Sequence, residues 1–339
     1  MTTTPLGETT WWDGDAVGYI DQRRLPETIA RERATTVDAV VAAIATLAVR
    51  GAPAIGIFGA YGVALAARLL PGAESFAMAA ARIREARPTA VNLAWAVDRT
   101  LAAADPLAEA LAIHDEQRAV DRAIGEHGLA LMPAEGSVLT HCNTGPLATA
   151  GEGSALGVII AAHRAGKKLH VFVDETRPLL QGARLTTVEL SAAGVPATLI
   201  VDGAAAATVR ERRVACAIVG ADRIARNGDT ANKIGTYGVA VICAHHGIPF
   251  YVAAPRSTID FSLAGGQGIH IEERRAEEVR VLGERAIAPG DVAVFNPAFD
   301  VTPGHLIAGI VTEYGVARPP YLESIPELAY RPAFAFVRS

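Results

Sequence analysis

The sequence predicts an α/β protein: a C-terminal Rossmann-like parallel sheet with helices on both faces, preceded by a mainly helical N-terminal domain with a small β element. Three observations carry this. From Ser137 onward, short apolar runs alternate with helical periodicities, the pattern of parallel strands joined by crossover helices. Half of the 339 residues are hydrophobic but only 6% are aromatic. The core must therefore come from Ala, Val, Ile and Leu, which suits helices packed on a sheet. Before Ser137 the pattern is helical, apart from a short stretch around Trp11 and Trp12. The predicted domains are residues 1–130 and 131–339.

In the first of these, Asp13-Gly14 between short apolar groups predicts a hairpin turn, and the adjacent tryptophans are read as packing residues. Val37, Val40, Val41, Ile44 and Leu47 recur at helical spacing, with Thr35 or Thr36 as N-cap. Arg50-Gly51-Ala52-Pro53-Ala54-Ile55-Gly56 ends that helix and starts another towards Leu70. Small residues, a proline in the first turn and an arginine beside open amides fit an anion site; they fit a tight helix connection equally well. Pro71-Gly72 stops the helix, and another spans about Glu74 to Arg84. Arg87 precedes Pro88 and is expected to be extended, as either a surface ion-pair partner or a second phosphate contact. A helix then runs through Trp95 and Val97, and residues 106–131 form a long charged helix with one apolar side.

In the second domain the expected strands are Val138–Cys142, Leu169–Val173, Ala197–Val201, Ala215–Val219 and Pro249–Ala253. Helices are expected near 155–165, 181–193, 204–212 and 232–246, with a last β-like piece at Val292–Phe295.

Several function classes recede at once. A net charge of -5 argues against a general nucleic-acid surface. The least polar stretch, Gly51 to Ala67, holds Pro53 and further glycines and is short for a membrane span, so a buried helix is expected. The N-terminus lacks the basic and apolar regions of a signal peptide. The three cysteines, at 142, 216 and 243, have no CxxC spacing, and so few thiols fit a reducing, cytoplasmic compartment. With no HxH or HExxH spacing, no metal is expected.

The strand ends concentrate the chemistry. They read Cys142-Asn143-Thr144-Gly145, Asp174-Glu175-Thr176-Arg177-Pro178, Asp202-Gly203, Gly220-Ala221-Asp222-Arg223 and Ala254-Pro255-Arg256. In a parallel sheet, ligands collect at this edge. Cys216 and Cys243 are expected as core residues. Cys142 differs because polar residues follow it at once, and a thiolate beside amides or Arg/Lys can act as base or nucleophile. Asp222 follows an apolar run and is expected to be partly buried, where a carboxyl can serve as general acid or, more plainly, as a cap. Two small-residue helix starts, Gln181-Gly182-Ala183 and Asn232-Lys233-Ile234-Gly235, face the same edge, and Lys233 beside a helix N-terminus would reinforce a phosphate site. A dinucleotide fingerprint is the rival. Gly151, Gly153 and Gly157 give GxGxxxG instead of GxGxxG, and they begin too far after Cys142.

The long motifs together resemble the methylthioribose-1-phosphate isomerase family. They are the Arg50–Gly56 and Arg87–Leu93 stretches, His141–Gly145, Asp174–Thr186, Gly220–Ile224, Asn232–Tyr237 and Asn296–Pro303. The resemblance runs from about Trp12 to Glu313. The wider family includes regulatory binding subunits of a translation-initiation exchange factor, and ribose-1,5-bisphosphate and 5-deoxyribose-1-phosphate isomerases are closer relatives. One departure is Glu152 with Ser154, where the family pattern has tyrosine and threonine. The resemblance implies an aldose–ketose isomerase of methionine salvage acting on a small sugar phosphate, with no obligatory cofactor and a homodimeric state. It also implies that Arg50, Gly51, Ala52, Arg87, Gln181, Asn232 and Lys233 bind substrate, that Asp222 is the proton donor, and that Cys142 is its catalytic partner.

Overall fold

The structure is a computed structural model that describes residues 4–88 and 90–329. Thr89 of the Arg87–Leu93 motif, the first three residues, and the end of the expected C-terminal domain from residue 330 lie outside the described residues. The chain forms two units. Among the described residues, one comprises the chain up to Arg122 with Thr144–Gly153, and the other Ala123–Asn143 with the chain from Ser154 to Ala329.

The first unit opens with an antiparallel sheet of β1 (Thr10–Trp12), β2 (Val17–Ile20) and β3 (Arg31–Ala34). The Asp13-Gly14 turn joins the first two strands. Trp11 pairs across them with Gly18, where its ring occupies the space a Cβ would need. Trp12 stacks near Tyr61, so both tryptophans are packing residues. The helices are α1 (Val37–Ala45), α2 (Ala52–Leu69), α3 (Ala73–Glu85), α4 (Val91–Leu101) and the long α5 (Pro106–Gly128). Thr36 caps α1 by accepting from the Ala39 amide at 3.1 Å. The apolar α2 is long enough to cross a membrane, but 72% of it is buried within the protein, the mark of a core helix. Gly56 and Gly59 let α4 approach closely: a Cβ at Gly56 would lie 2.9 Å from the Asn92 carbonyl oxygen. The short α6 (Pro146–Thr149) also belongs to this unit.

The second unit is built on a seven-stranded sheet. Its strands are β4 (Glu135–Thr140), β5 (Lys168–Asp174), β6 (Ala197–Ile200), β7 (Val214–Val219), β10 (Phe250–Ala253), β15 (Gly309–Thr312) and β16 (Gly315–Ala317). The order is β16-β15-β10-β7-β4-β5-β6, parallel except for β16. The crossover helices are α7 (Ala155–Arg164), α8 (Thr187–Ala192), α9 (Ala205–Glu211) and α10 (Thr236–His246). The order reverses between β4 and β7, which makes that pair the topological switch point. Cys216 on β7 and Cys243 on α10 are buried as plain core thiols, and burial pushes both up to about 12.

A second sheet of β8 (Arg223–Ala225), β9 (Thr230–Lys233), β11 (Ile259–Asp260) and β14 (Phe299–Thr302) is ordered β11-β8-β9-β14. The remainder is irregular: α11 (Glu277–Arg280), the hairpin β12 (Val281–Leu282) and β13 (Arg285–Ala286), and finally α12 (Tyr321–Ala329).

Three sequence expectations are corrected. Val292–Phe295 is not a strand: Phe295 is 81% exposed, and the next strand begins at Phe299, after an isolated bridge between Glu273 and Pro297. The stretch 232–235 is not helical, because Asn232 and Lys233 end strand β9, whose partner β14 is remote in sequence. Residues 182–186 form a π-helical turn ahead of α8. There Gly182 passes so close to the Asp174 carbonyl that a Cβ would sit at 1.8 Å.

Candidate functional site

Cys142 lies two residues past the end of β4, at the carboxyl rim of the sheet. It is 8% exposed and adopts φ 67°, a left-handed conformation costly for a residue with a Cβ. The surroundings hold it there. Its amide donates to Thr176 Oγ1 at 2.9 Å, and its carbonyl accepts from the Thr186 hydroxyl at 2.6 Å. Thr176 is itself left-handed, at φ 65°. Its hydroxyl donates to the Asp174 carbonyl, and its amide, with that of Arg177, donates to the Asp202 carboxylate at 2.7 Å each. The ends of β4, β5 and β6 are thus knitted together through one threonine and one aspartate. Asn143 is buried beside Cys142 and donates to Thr186 and to Glu189.

Asp222 follows β7, the neighbour of β4 on the other side of the switch point. Both residues therefore sit at the same rim, on adjacent parallel strands. Asp222 is exposed, which corrects the expectation of partial burial: β7 ends at Val219, and Gly220 and Ala221 carry the carboxyl beyond the sheet edge. Its amide donates to the Ala231 carbonyl at 2.9 Å, tying it to β9, the strand that carries Asn232 and Lys233.

Gln181 is 6% exposed, and its Oε1 is buried with no hydrogen-bond partner among the described residues. A buried amide oxygen in that state is costly unless something else donates to it. Asn232 is 3% exposed and donates to Thr236 Oγ1 at 2.9 Å. Lys233 donates to the Ala298 carbonyl at 2.9 Å, with its ammonium over the Phe299 ring. The start of α10 is not an open anion site. The Asp300 carboxylate already accepts from the Gly235 and Tyr237 amides, at 2.8 and 3.1 Å. Burial raises the Asp300 carboxyl in spite of these bonds.

In the first unit, Gly51 is the N-cap of α2, at φ 96°. A Cβ there would lie 2.3 Å from the Ala148 carbonyl oxygen, so only glycine fits. Arg50 donates from Nε to Gln22 Oε1 at 3.1 Å, and Gln22 in turn donates to the Leu147 carbonyl at 2.8 Å. Ala52 opens α2, and no side-chain cap bond satisfies the first amides of that helix. Arg87 lies in the bend before α4, outside any helix as expected. The Gly56–Asn92 approach brings the start of α4 alongside the start of α2, so Arg50 and Arg87 lie at one end of the bundle.

The Gly151–Ser154 turn is organised by Asp121, which is fully buried. It accepts from Gly153 and Gln117, at 2.9 and 2.7 Å, and from Thr149, yet burial still pushes it up to about 6. Glu152 pairs with Arg122 at 3.1 Å.

Among the described residues, His141, Asp174 and Asp202 bring ligand-type atoms within 4.8 Å of one another. Most of those atoms are engaged within the protein. Both Asp202 oxygens hold backbone amides, and both His141 nitrogens face acceptors. Asp174 Oδ1 alone has no partner. Thr176, Thr186 and Asp202 were not singled out by sequence as supports of Cys142. The available signal was that Asp174-Glu175-Thr176 and Asp202 both follow apolar strands.

The Initiation factor 2 subunit family model matches residues 48–319. A methylthioribose-1-phosphate isomerase of Chloroflexus aurantiacus is 53% identical, with 94% of this chain and 98% of that protein covered. The crystal structure of 5-methylthioribose 1-phosphate isomerase from Pyrococcus horikoshii OT3 superposes with a TM-score of 0.92 at 41% identity, covering 97% of this chain and 98% of that one. A structure from A. fulgidus described as the translation initiation factor eIF-2B, subunit delta, gives a TM-score of 0.89 at 43% identity, over 95% and 98%.

Proposed function

Since the chain belongs to the initiation factor 2 subunit family, and within it to the methylthioribose-1-phosphate isomerases, we propose that Cys142 and Asp222 carry out the isomerisation. The activity is the conversion of 5-methylthioribose 1-phosphate to 5-methylthioribulose 1-phosphate, an aldose–ketose isomerisation in methionine salvage. The observation that carries the assignment is their position at the carboxyl ends of β4 and β7, flanking the switch point.

The chemistry defines the roles. Phosphate on C1 blocks ordinary opening to an aldehyde. An acid must therefore protonate the ring oxygen as the C1–O4 bond breaks, and we assign this to Asp222. The Cys142 thiolate then takes the C2 proton, giving a C1=C2 enol. The thiol, whose proton exchanges in part with solvent, then protonates C1 while the Asp222 carboxylate takes the proton of the C2 hydroxyl. Both groups end in their starting states. Because Asp222 is exposed, the bound sugar must supply the dry surroundings this acid needs.

Arg50 and Arg87 are assigned to the phosphate, with the Gly51 and Ala52 backbone at the start of α2 and with Lys233. Gln181 and Asn232 are assigned to the sugar hydroxyls, which would give Gln181 Oε1 the donor it lacks. A homodimer and a cytoplasmic location belong to the same proposal, as does a boundary between domains near residue 130.

The test is turnover of 5-methylthioribose 1-phosphate by Asp222→Asn and Cys142→Ser. Each is expected to lower kcat by at least about 100-fold, the scale of positioned acid–base catalysis. Near wild-type turnover in either variant removes that residue from the mechanism. Solvent deuterium at C1 of the product is expected from the thiol relay; its complete absence would replace the relay with a direct hydride shift.

A further inference from the structure

We infer that His141 is a positioning residue for this reaction: a buried imidazolium that ties the turn carrying Asn232 and Lys233 to the strand end carrying Cys142. The inference rests on the isomerase reading.

The ring is 1% exposed. Its Nε2 lies 2.9 Å from the Ile234 carbonyl oxygen, and its Nδ1 lies 3.0 Å from Asp174 Oδ2. A carbonyl oxygen can only accept, so Nε2 carries a proton. Nδ1 faces a carboxylate, which is satisfied when that nitrogen is protonated too. Carboxylates face the ring from three elements: Asp174 at the end of β5, Asp202 after β6, and Asp300 on β14. The Cys243 thiol of α10 stands near Asp174. Burial alone would push the imidazole down, but the bond to Asp174 and these charges raise it.

The ring also fits the turn it holds. Gly235 follows Ile234 at φ 102°, and a Cβ there would lie 2.8 Å from His141 Cε1. Asp300 pins the same turn from the other side through the Gly235 and Tyr237 amides. At its other end, the His141 backbone runs straight into the strained Cys142. Slack at this ring therefore moves Asn232 and Lys233 relative to the thiol, and a misplacement of about 1 Å can cost about 100-fold in rate.

Nitrogen-15 NMR of the full-length, histidine-labelled protein tests the pairing at about pH 8, above the ~6.5 of a free imidazole. Two protonated ring nitrogens on His141 are expected. One bare nitrogen overturns the inference. So does a stoichiometric divalent metal in the purified protein, because a metal on Nδ1 would replace that proton. The second arm is kinetic. Asp174→Asn keeps an acceptor for Nδ1–H but removes the charge and leaves the burial, so its kcat/KM is expected to fall as pH rises through a value below the ~6.5 of a free imidazole, a titration absent from the wild type. A profile parallel to wild type overturns the role. His141→Ala is expected to lose about 100-fold in kcat/KM, and His141→Gln, which still reaches Ile234, to recover about tenfold of it. Equal activity in wild type and both variants overturns the positioning role and leaves the isomerase reading standing. Wild-type protein without sugar-phosphate turnover overturns both, and the unchanged ring spectrum tells the two failures apart.

Discussion

Two buried histidines, one in each unit, meet opposite electrostatic fates. His114 on α5 is 1% exposed, with Nδ1 2.8 Å from the Tyr61 hydroxyl and Nε2 2.7 Å from the Ala150 carbonyl oxygen. A hydroxyl can donate, so a neutral ring satisfies both contacts, and burial, helped by Arg118, pushes the imidazole down to about 4. His141 has the same burial and the same kind of carbonyl partner at Nε2, but a carboxylate at Nδ1. Its proton is held instead of expelled. Depth in the protein is equal for the two, so the single partner at Nδ1 decides the charge. In the first unit the neutral ring holds the left-handed Ala150 of the α6 turn. In the second, the charged ring holds the turn after β9.

The largest expected break in this comparison is Asp174→Ala. It leaves a buried imidazolium without its counter-charge and should cost about 3–5 kcal/mol in urea unfolding. Tyr61→Phe leaves His114 a neutral unpaired nitrogen and should cost only about 1–3 kcal/mol. Equal costs would mean that His141 is neutral.

Acid separates the two rings next. Between pH 6.5 and about 4 an unfolded chain protonates its imidazole while folded His114 refuses the proton, so stability falls with pH across that window. The loss should approach about 3 kcal/mol. His141 has the opposite sign: its raised folded value adds stability that is fully present below the free-imidazole range and is lost as pH rises through the folded value. Buried Asp121 also opposes His114, because its folded value of about 6 lies above its ordinary 3.8. The difference between wild type and His114→Gln, measured by urea unfolding from pH 7 to 4, isolates the histidine. A constant difference would show that His114 is not held neutral.

The smallest effect sharpens the comparison at the backbone. Gly51→Ala should cost about 1–2 kcal/mol from its left-handed conformation alone, plus the clash with Ala148, and should raise KM for the sugar phosphate more than it lowers kcat. An unchanged KM would detach the start of α2 from the phosphate.

Much of the second unit was legible in the sequence because its signals are local. The apolar runs Val138–Cys142, Leu169–Val173 and Ala215–Val219 marked their strands to within three residues at each end, since a strand buried on both faces must be continuously apolar. Thr36 announced its helix, and Asp13-Gly14 its hairpin, through their own short-range chemistry. The late strands β14 and β15 were not legible, because such four-residue segments are fixed by partners more than fifty residues away along the chain.

The same division runs through the site. Sequence alone placed a thiol and a carboxyl at strand ends and gathered small residues at Gly51 and Gly182, because composition and period determine where strands stop. The exposure of Asp222, the occupation of the α10 amides by Asp300, 65 residues away, and the charge of His141, set by Asp174 at a separation of 33, were decided by tertiary structure. Desolvation and hydrogen-bond partnership are properties of neighbours in space. The residue type at a position supplies a donor or an acceptor, and only the folded chain decides what faces it.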